Sequence, residues 1–131
     1  MSTCPPTDRR CEDMTVLLLD DDETFRTALS DLLCDDGHVV QAYGSIAEIP
    51  LADLPAPTAL ITDFQLGGGE DGLSFARRFN AVHHEVPIIL VTAHTTEYLA
   101  QAAASLPYLS LLRKPLAYED LHRLLHARAQ P

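Results

Sequence analysis

Residues 16–26 read Val-Leu-Leu-Leu-Asp-Asp-Asp-Glu-Thr-Phe-Arg, and this run decides the fold. Four apolar residues stop at three acids, and helical spacing begins at once, with Phe25, Leu29, Leu32 and Leu33 on one stripe. A short unbroken apolar run suits a strand buried on both faces, so the stretch reads as a βα unit. The pattern returns along the chain. Further strand-like runs are Val39–Tyr43, Ala59–Thr62, Ile88–Val91 and Leu109–Leu112. Helical stripes follow at Leu73, Ala76 and Phe79, at Tyr98, Ala102 and Ser105, and at Leu121, Leu124 and Leu125. The shortest helix is expected after Gly44, where Ser45 and Glu48 have capping-box spacing and Pro50 limits the length. Five alternations predict an α/β fold: a doubly wound, five-stranded parallel sheet with five helices on its two faces. Right-handed crossovers then collect the strand C-termini on one edge, where ligands of such sheets bind.

The chain has 131 residues, one domain's worth, with 47% hydrophobic and 21% charged residues, which excludes wholesale disorder. Nine basic against nineteen acidic side chains give a net charge of −10, which argues against a nucleic-acid or anionic-membrane surface. Residues 1–13 are polar, contain two prolines and read as a disordered N-terminal tail before a domain over 14–130. The tail lacks the apolar segment of a signal peptide, and no run is long enough to span a membrane. Cys4, Cys11 and Cys34 form no CxxC and read as reduced cytoplasmic thiols, a Cys4–Cys11 bridge being the alternative.

The predicted strand ends carry the chemistry. Asp20, Asp21 and Asp22 follow the first strand, Tyr43-Gly44 the second, Asp63 the third, Thr92 the fourth and Arg113-Lys114-Pro115 the fifth. One edge thus gathers at least three carboxylates, a hydroxyl and an ammonium. Neighbouring carboxylates resist joint ionisation unless a cation offsets them. A hard divalent ion with oxygen ligands is the natural partner, and Mg²⁺ commonly shares its shell with water and phosphate.

In this order, LLLDDDETFR, ALITDFQL, EDGL, PIILVTA and LLRKPL, with Thr92 and Lys114 22 positions apart, resemble the receiver domain of two-component response regulators. The resemblance spans residues 16–116, and the helix to Arg128 completes such a domain. It implies a flavodoxin-like strand order 2-1-3-4-5 and a phosphorelay role. Asp63 matches the phosphoacceptor that takes phosphoryl from a phosphohistidine. Asp20 and Asp21 match the Mg²⁺-holding pair, with Gln65 giving its backbone carbonyl. Thr92 matches the switch hydroxyl and Lys114 the lysine that meets a phosphoryl oxygen. The implied partners are a sensor histidine kinase or phosphotransfer protein, with a homodimer through the fourth helix, fifth strand and fifth helix. No direct nucleic-acid or membrane contact is implied. The domain would act as a cytoplasmic switch, an enzyme only toward its own phosphorylation and dephosphorylation. A cis Lys114–Pro115 bond is also implied. Leu111 stands where the family has an aromatic, which argues against coupled Thr–aromatic switching, and the loop Leu66–Gly72 lacks the common proline.

Other readings compete. Asp20, Asp22 and Thr24 satisfy the DxDxT start of haloacid-dehalogenase-like phosphatases, with Asp20 as nucleophile and Asp22 as acid/base. That reading needs an acidic motif after the lysine, and Glu119-Asp120 opens a helix instead. A binding module that keeps the fold without being phosphorylated is a third reading, against which the complete site argues. Asp22 alone fits a helix N-cap, and Asp71-Gly72 a cap and tight turn. Gly67-Gly68-Gly69 lacks the Gly-Lys-Ser/Thr of a phosphate loop, and His122 and His126 read as a solvated helix face.

Overall fold

The computed structural model describes residues 2–3 and 14–129, with side chains described from Met14 to His126. Its elements alternate as β1 (Thr15–Leu19), α1 (Glu23–Asp35), β2 (Val39–Tyr43), β3 (Ala59–Asp63), α2 (Gly72–Val82), β4 (Ile88–Thr92), α3 (Glu97–Ser105), β5 (Leu109–Arg113) and α4 (Tyr118–Ala129). The five strands are parallel and lie in the order β2-β1-β3-β4-β5. The expected flavodoxin-like order is therefore found. Chain order reverses between β1 and β3, so the crevice for a ligand opens beyond their C-terminal ends.

Strand periodicity divides the core into two layers. Leu17, Leu19, Leu60, Ile88 and Leu90 point to one face and pack with Leu73, Phe79 and Leu99 of α2 and α3. Val16, Leu18, Val40, Ile61, Ile89 and Val91 point to the other and pack with Leu29, Leu33, Leu121 and Leu125 of α1 and α4. Every residue of β3 and β4 is buried, which is why those strands read as unbroken apolar runs. β5 is the outer strand, and Ser110, Leu111 and Leu112 are only partly buried.

Three expectations need correction. The second predicted helix is replaced by two 3-10 turns, Ile46–Glu48 and Leu51–Asp53, leaving four α-helices. Pro50 separates the turns; it has no N–H to donate and biases Ile49 toward extended backbone, seen at φ −88°, ψ 118°. Ser45 makes no side-chain cap bond, and Glu48 Oε1 accepts instead from Gly44 N at 3.3 Å. Within the expected tail, Ser2–Thr3 forms a short antiparallel strand against Gln41–Ala42 of β2. An edge strand carries unpaired N–H and C=O groups that recruit such partners. The rest of the tail expectation, residue 1 and residues 4–13, lies outside the described residues, as do the last position of the 14–130 domain and the possible Cys4–Cys11 bridge. Finally, Cys34, read as a reduced thiol, is disulfide-bonded. Bridging depends on spatial approach that cysteine counting does not reveal. Among the described residues no helix is long and apolar enough to cross a membrane.

Candidate functional site

Asp63 ends β3, and Asp20 follows β1 directly, so parallel pairing of the two strands sets their carboxylates side by side. Both are buried, Asp20 to 1% and Asp63 to 8% exposure, while Asp21 beside them is exposed. Carboxylate oxygens of Asp20, Asp21 and Asp63 all lie within 4.8 Å of one another. Lys114, entering from the end of β5, places Nζ 3.4 Å from Asp20 Oδ2 and 3.5 Å from Asp63 Oδ2. The same ammonium sits 4.4 Å from the centre of the Phe25 ring on α1, a cation–π contact that fixes its approach. The Lys114–Pro115 bond is cis, as the resemblance implies.

Burial dominates the electrostatics. Desolvation pushes the Asp63 carboxyl above its ordinary range and the nearby Asp20 charge adds to this; Lys114 and the Gln65 backbone N–H pull the other way. Desolvation also raises Asp20, opposed by the Asp22 N–H, which donates to Asp20 Oδ1 at 2.9 Å, and by Lys114. One ammonium does not cancel the cost of two buried carboxylates and a third beside them. A set of hard oxygen donors under this strain fits a metal cation, with Asp20, Asp21 and Asp63 to hold it.

The structure does not join every expected residue to this cluster. Thr92 is buried at the end of β4, but its hydroxyl donates to His94 O at 3.0 Å and accepts from His94 N at 3.2 Å. Its carbonyl accepts from Lys114 N at 2.8 Å, tying the β4 and β5 ends together. Asp22 is the N-cap of α1, accepting from Thr24 N at 3.0 Å and Phe25 N at 3.3 Å, so its carboxylate is committed to the helix. Asp71 caps α2 through Ser74 N at 2.8 Å. In the glycine-rich loop Gly68 and Gly69 have φ of 89° and 97°, backbone that favours glycine. His122 and His126 lie on a partly exposed side of α4: their rings are 4.2 Å apart, and His122 Nδ1 is 3.3 Å from Asp36 Oδ2 across the α1–α4 groove.

Two contacts escaped the sequence reading. Arg26 Nη1 donates to the Asp20 carbonyl at 2.7 Å. Gly72 N donates to Phe64 O at 2.7 Å, and a Cβ on Gly72 would fall onto the Asp63 carbonyl oxygen, so α2 starts hard against the Asp63 backbone. A cation in the first turns of α1, where the helix dipole disfavours it, was the available signal for Arg26.

Residues 16–126 match the model of the response regulator receiver domain. The C4-dicarboxylate transport transcriptional regulatory protein DctD of Rhizobium meliloti is 34% identical over 109 residues, covering 82% of this chain and 23% of that protein. A response regulator receiver protein from Sinorhizobium medicae superimposes with a TM-score of 0.75 at 28% identity, covering 91% of this chain and 99% of that one. A receiver domain protein from Clostridium thermocellum gives 0.78 at 23% identity, covering 88% and 93%. The chain spans 23% to 53% of the length of the curated relatives it matches.

Proposed function

This chain belongs to the response regulator receiver domain family, and on that premise we propose that Asp63 is the residue that accepts the phosphoryl group. The observation that carries the assignment is the convergence of Asp63 with Asp20, Asp21 and Lys114 at the β1–β3 crevice. One Asp63 carboxylate oxygen forms a bond to phosphorus as the bond from phosphorus to a histidine nitrogen of the donor breaks. In such transfers negative charge spreads over three equatorial oxygens, so the protein's contribution is positioning and cationic stabilisation. Lys114 brings an ammonium to the same oxygens, and the Thr92 hydroxyl, exchanging its His94 contacts, supplies a neutral donor.

Asp20, Asp21 and Asp63, with the Gln65 backbone carbonyl, would hold Mg²⁺, which when bound neutralises charge on the phosphoryl oxygens. The burial that raises Asp20 and Asp63 supports this reading, because the ionised pair needs more positive charge than Lys114 alone provides. The donor is a sensor histidine kinase or phosphotransfer protein. The homodimer face expected over the fourth helix, fifth strand and fifth helix corresponds to α3, β5 and α4, where Leu111 and Leu112 are partly exposed. Disulfide-bonded Cys34 removes the thiol argument for a cytoplasmic location, which rests instead on the kind of kinase partner proposed. The haloacid-dehalogenase-like alternative is not favoured: its acid/base, Asp22, is occupied as a helix cap, and Asp63 would be left without a role.

Incubation with a ³²P-phosphohistidine donor or acetyl phosphate and Mg²⁺ tests the assignment. Acid-stable, base-labile label is expected on the wild type and none on Asp63→Asn; equal label on both proteins overturns it.

A further inference from the structure

We propose that Arg26 is a positioning residue for the metal subsite, holding the Asp20–Asp21 peptide at the angle that presents the Asp21 carboxylate to the ion. The inference rests on the reading of Asp20 and Asp21 as metal-holding residues and adds a residue outside the acidic cluster.

Parallel pairing of β1 with β2 ends at this point. Asp20 N still donates to Tyr43 O at 3.1 Å, but among the described residues no backbone N–H goes on to donate to the Asp20 carbonyl. The Asp20 carbonyl accepts instead from Arg26 Nη1 at 2.7 Å, a short charge-assisted bond. Side chains on a helix lean toward its N-terminus, which lets Arg26 of α1 reach back to the strand end. Such a cation opposes the α1 dipole, a local cost that a specific contact must offset. Gly44 makes room for it. A Cβ at Gly44 would stand 3.0 Å from Arg26 Nη1 and 3.5 Å from its Cζ. Gly44 does not have positive φ, so its lack of a side chain serves the guanidinium and not a turn.

The consequence falls on Asp21. The Asp20 side chain is held independently by Asp22 N and Lys114. Asp21 is exposed and, among the described residues, makes no side-chain hydrogen bond, so the backbone alone sets the Cα–Cβ direction from which its carboxylate reaches the ion. The peptide that joins it to Asp20 is pinned at the carbonyl by Arg26. Supporting contacts of this kind govern metal affinity through ligand orientation. The guanidinium also lines a polar pocket of about 250 Å³ with Thr27, Ser30 and Glu48, so water can reach the carbonyl when Arg26 is removed. The loss then appears in metal affinity more than in folding.

The test is calorimetric titration of Mg²⁺ alone into the wild type, Arg26→Ala, Arg26→Lys, Gly44→Ala, the Arg26→Ala/Gly44→Ala double variant and Asp21→Asn, with apo melting recorded for each. Arg26→Ala and Gly44→Ala should each weaken binding about tenfold. The double variant should be no weaker than either, and lysine should restore most of the affinity. Wild-type affinity in Arg26→Ala with binding lost in Asp21→Asn overturns the positioning role and leaves the metal reading intact. Wild-type affinity in Asp21→Asn overturns the metal reading itself. Should Arg26→Ala melt far lower, Gly44→Ala decides: unchanged Mg²⁺ affinity there overturns the role.

Discussion

The ammonium of Lys114 lies 3.5 Å from Oδ2 of Asp63, and it reaches Asp20 Oδ2 at 3.4 Å in the same pose. A single cation shared by two buried acids can bridge them but not fully neutralise them. Lys114→Ala should therefore keep its affinity for Mg²⁺ or gain some, because a competing positive charge is gone. Phosphoryl labelling from acetyl phosphate should fall by about 10²-fold or more, the usual loss when a group aimed at developing charge is removed. Calorimetry and label kinetics check the two halves separately; loss of metal binding would contradict the arrangement.

Burial raises both Asp20 and Asp63 above the ordinary value of 3.8. Below 3.8 both groups are protonated folded or unfolded, and neither costs stability. As pH rises through the raised folded values, the unfolded chain has already released its protons, so the folded state loses stability. In chelator at neutral pH, Asp63→Asn should melt about 3–6 °C above the wild type, a shift worth roughly 1 kcal/mol. The gap should narrow toward acid pH. Mg²⁺ at about 100 times its Kd should add about 2.7 kcal/mol to the wild type and reverse the order. Calorimetric melting across pH, with and without metal, reads all three effects.

Asp22 sits between the candidate ligands and the helix, yet its bonds are those of a cap. Asp22→Ala should lose about 1 kcal/mol in urea denaturation while keeping Mg²⁺ affinity and label within twofold, a roughly cap-sized loss. A labelling defect larger than the stability defect would move Asp22 into the site.

Gly72 has a different constraint, since any side chain meets the backbone of Asp63 and Phe64. Neither wall is a flexible tip that can swing aside. Gly72→Ala should cost about 1–3 kcal/mol or more in urea denaturation, the scale of overpacking, and should also impair labelling by shifting Asp63. Wild-type stability would show that the α2 start can retreat.

Most of this architecture was legible because β1, β3 and β4 are buried on both faces and so appear as continuous apolar runs ending in Asp20, Asp63 and Thr92. Parallel topology then makes strand ends converge, so residues 43 positions apart become neighbours without any local signal. What was not legible depends on short-range competition or three-dimensional approach. Ser45 and Glu48 have helix-start spacing, but Pro50 divides the segment and Glu48 satisfies Gly44 instead. The hydroxyl of Thr92 has the expected position but its bonds go to His94, because a strand-end threonine can satisfy itself on the next turn. Spacing alone gave no hint that Arg26 answers a strand carbonyl, nor that Cys34 enters a disulfide.

Phe25 beneath the Lys114 ammonium has a practical outcome as well. Protons above an aromatic face are shifted upfield by its ring current, so the ε-methylene resonances of this lysine should stand apart from those of a solvated amine. The chain contains no tryptophan to compete as the source of such a shift. Any event that draws the amine off the phenyl ring would move those signals back toward their random-coil position, giving the protein an intrinsic magnetic gauge of where its charge resides.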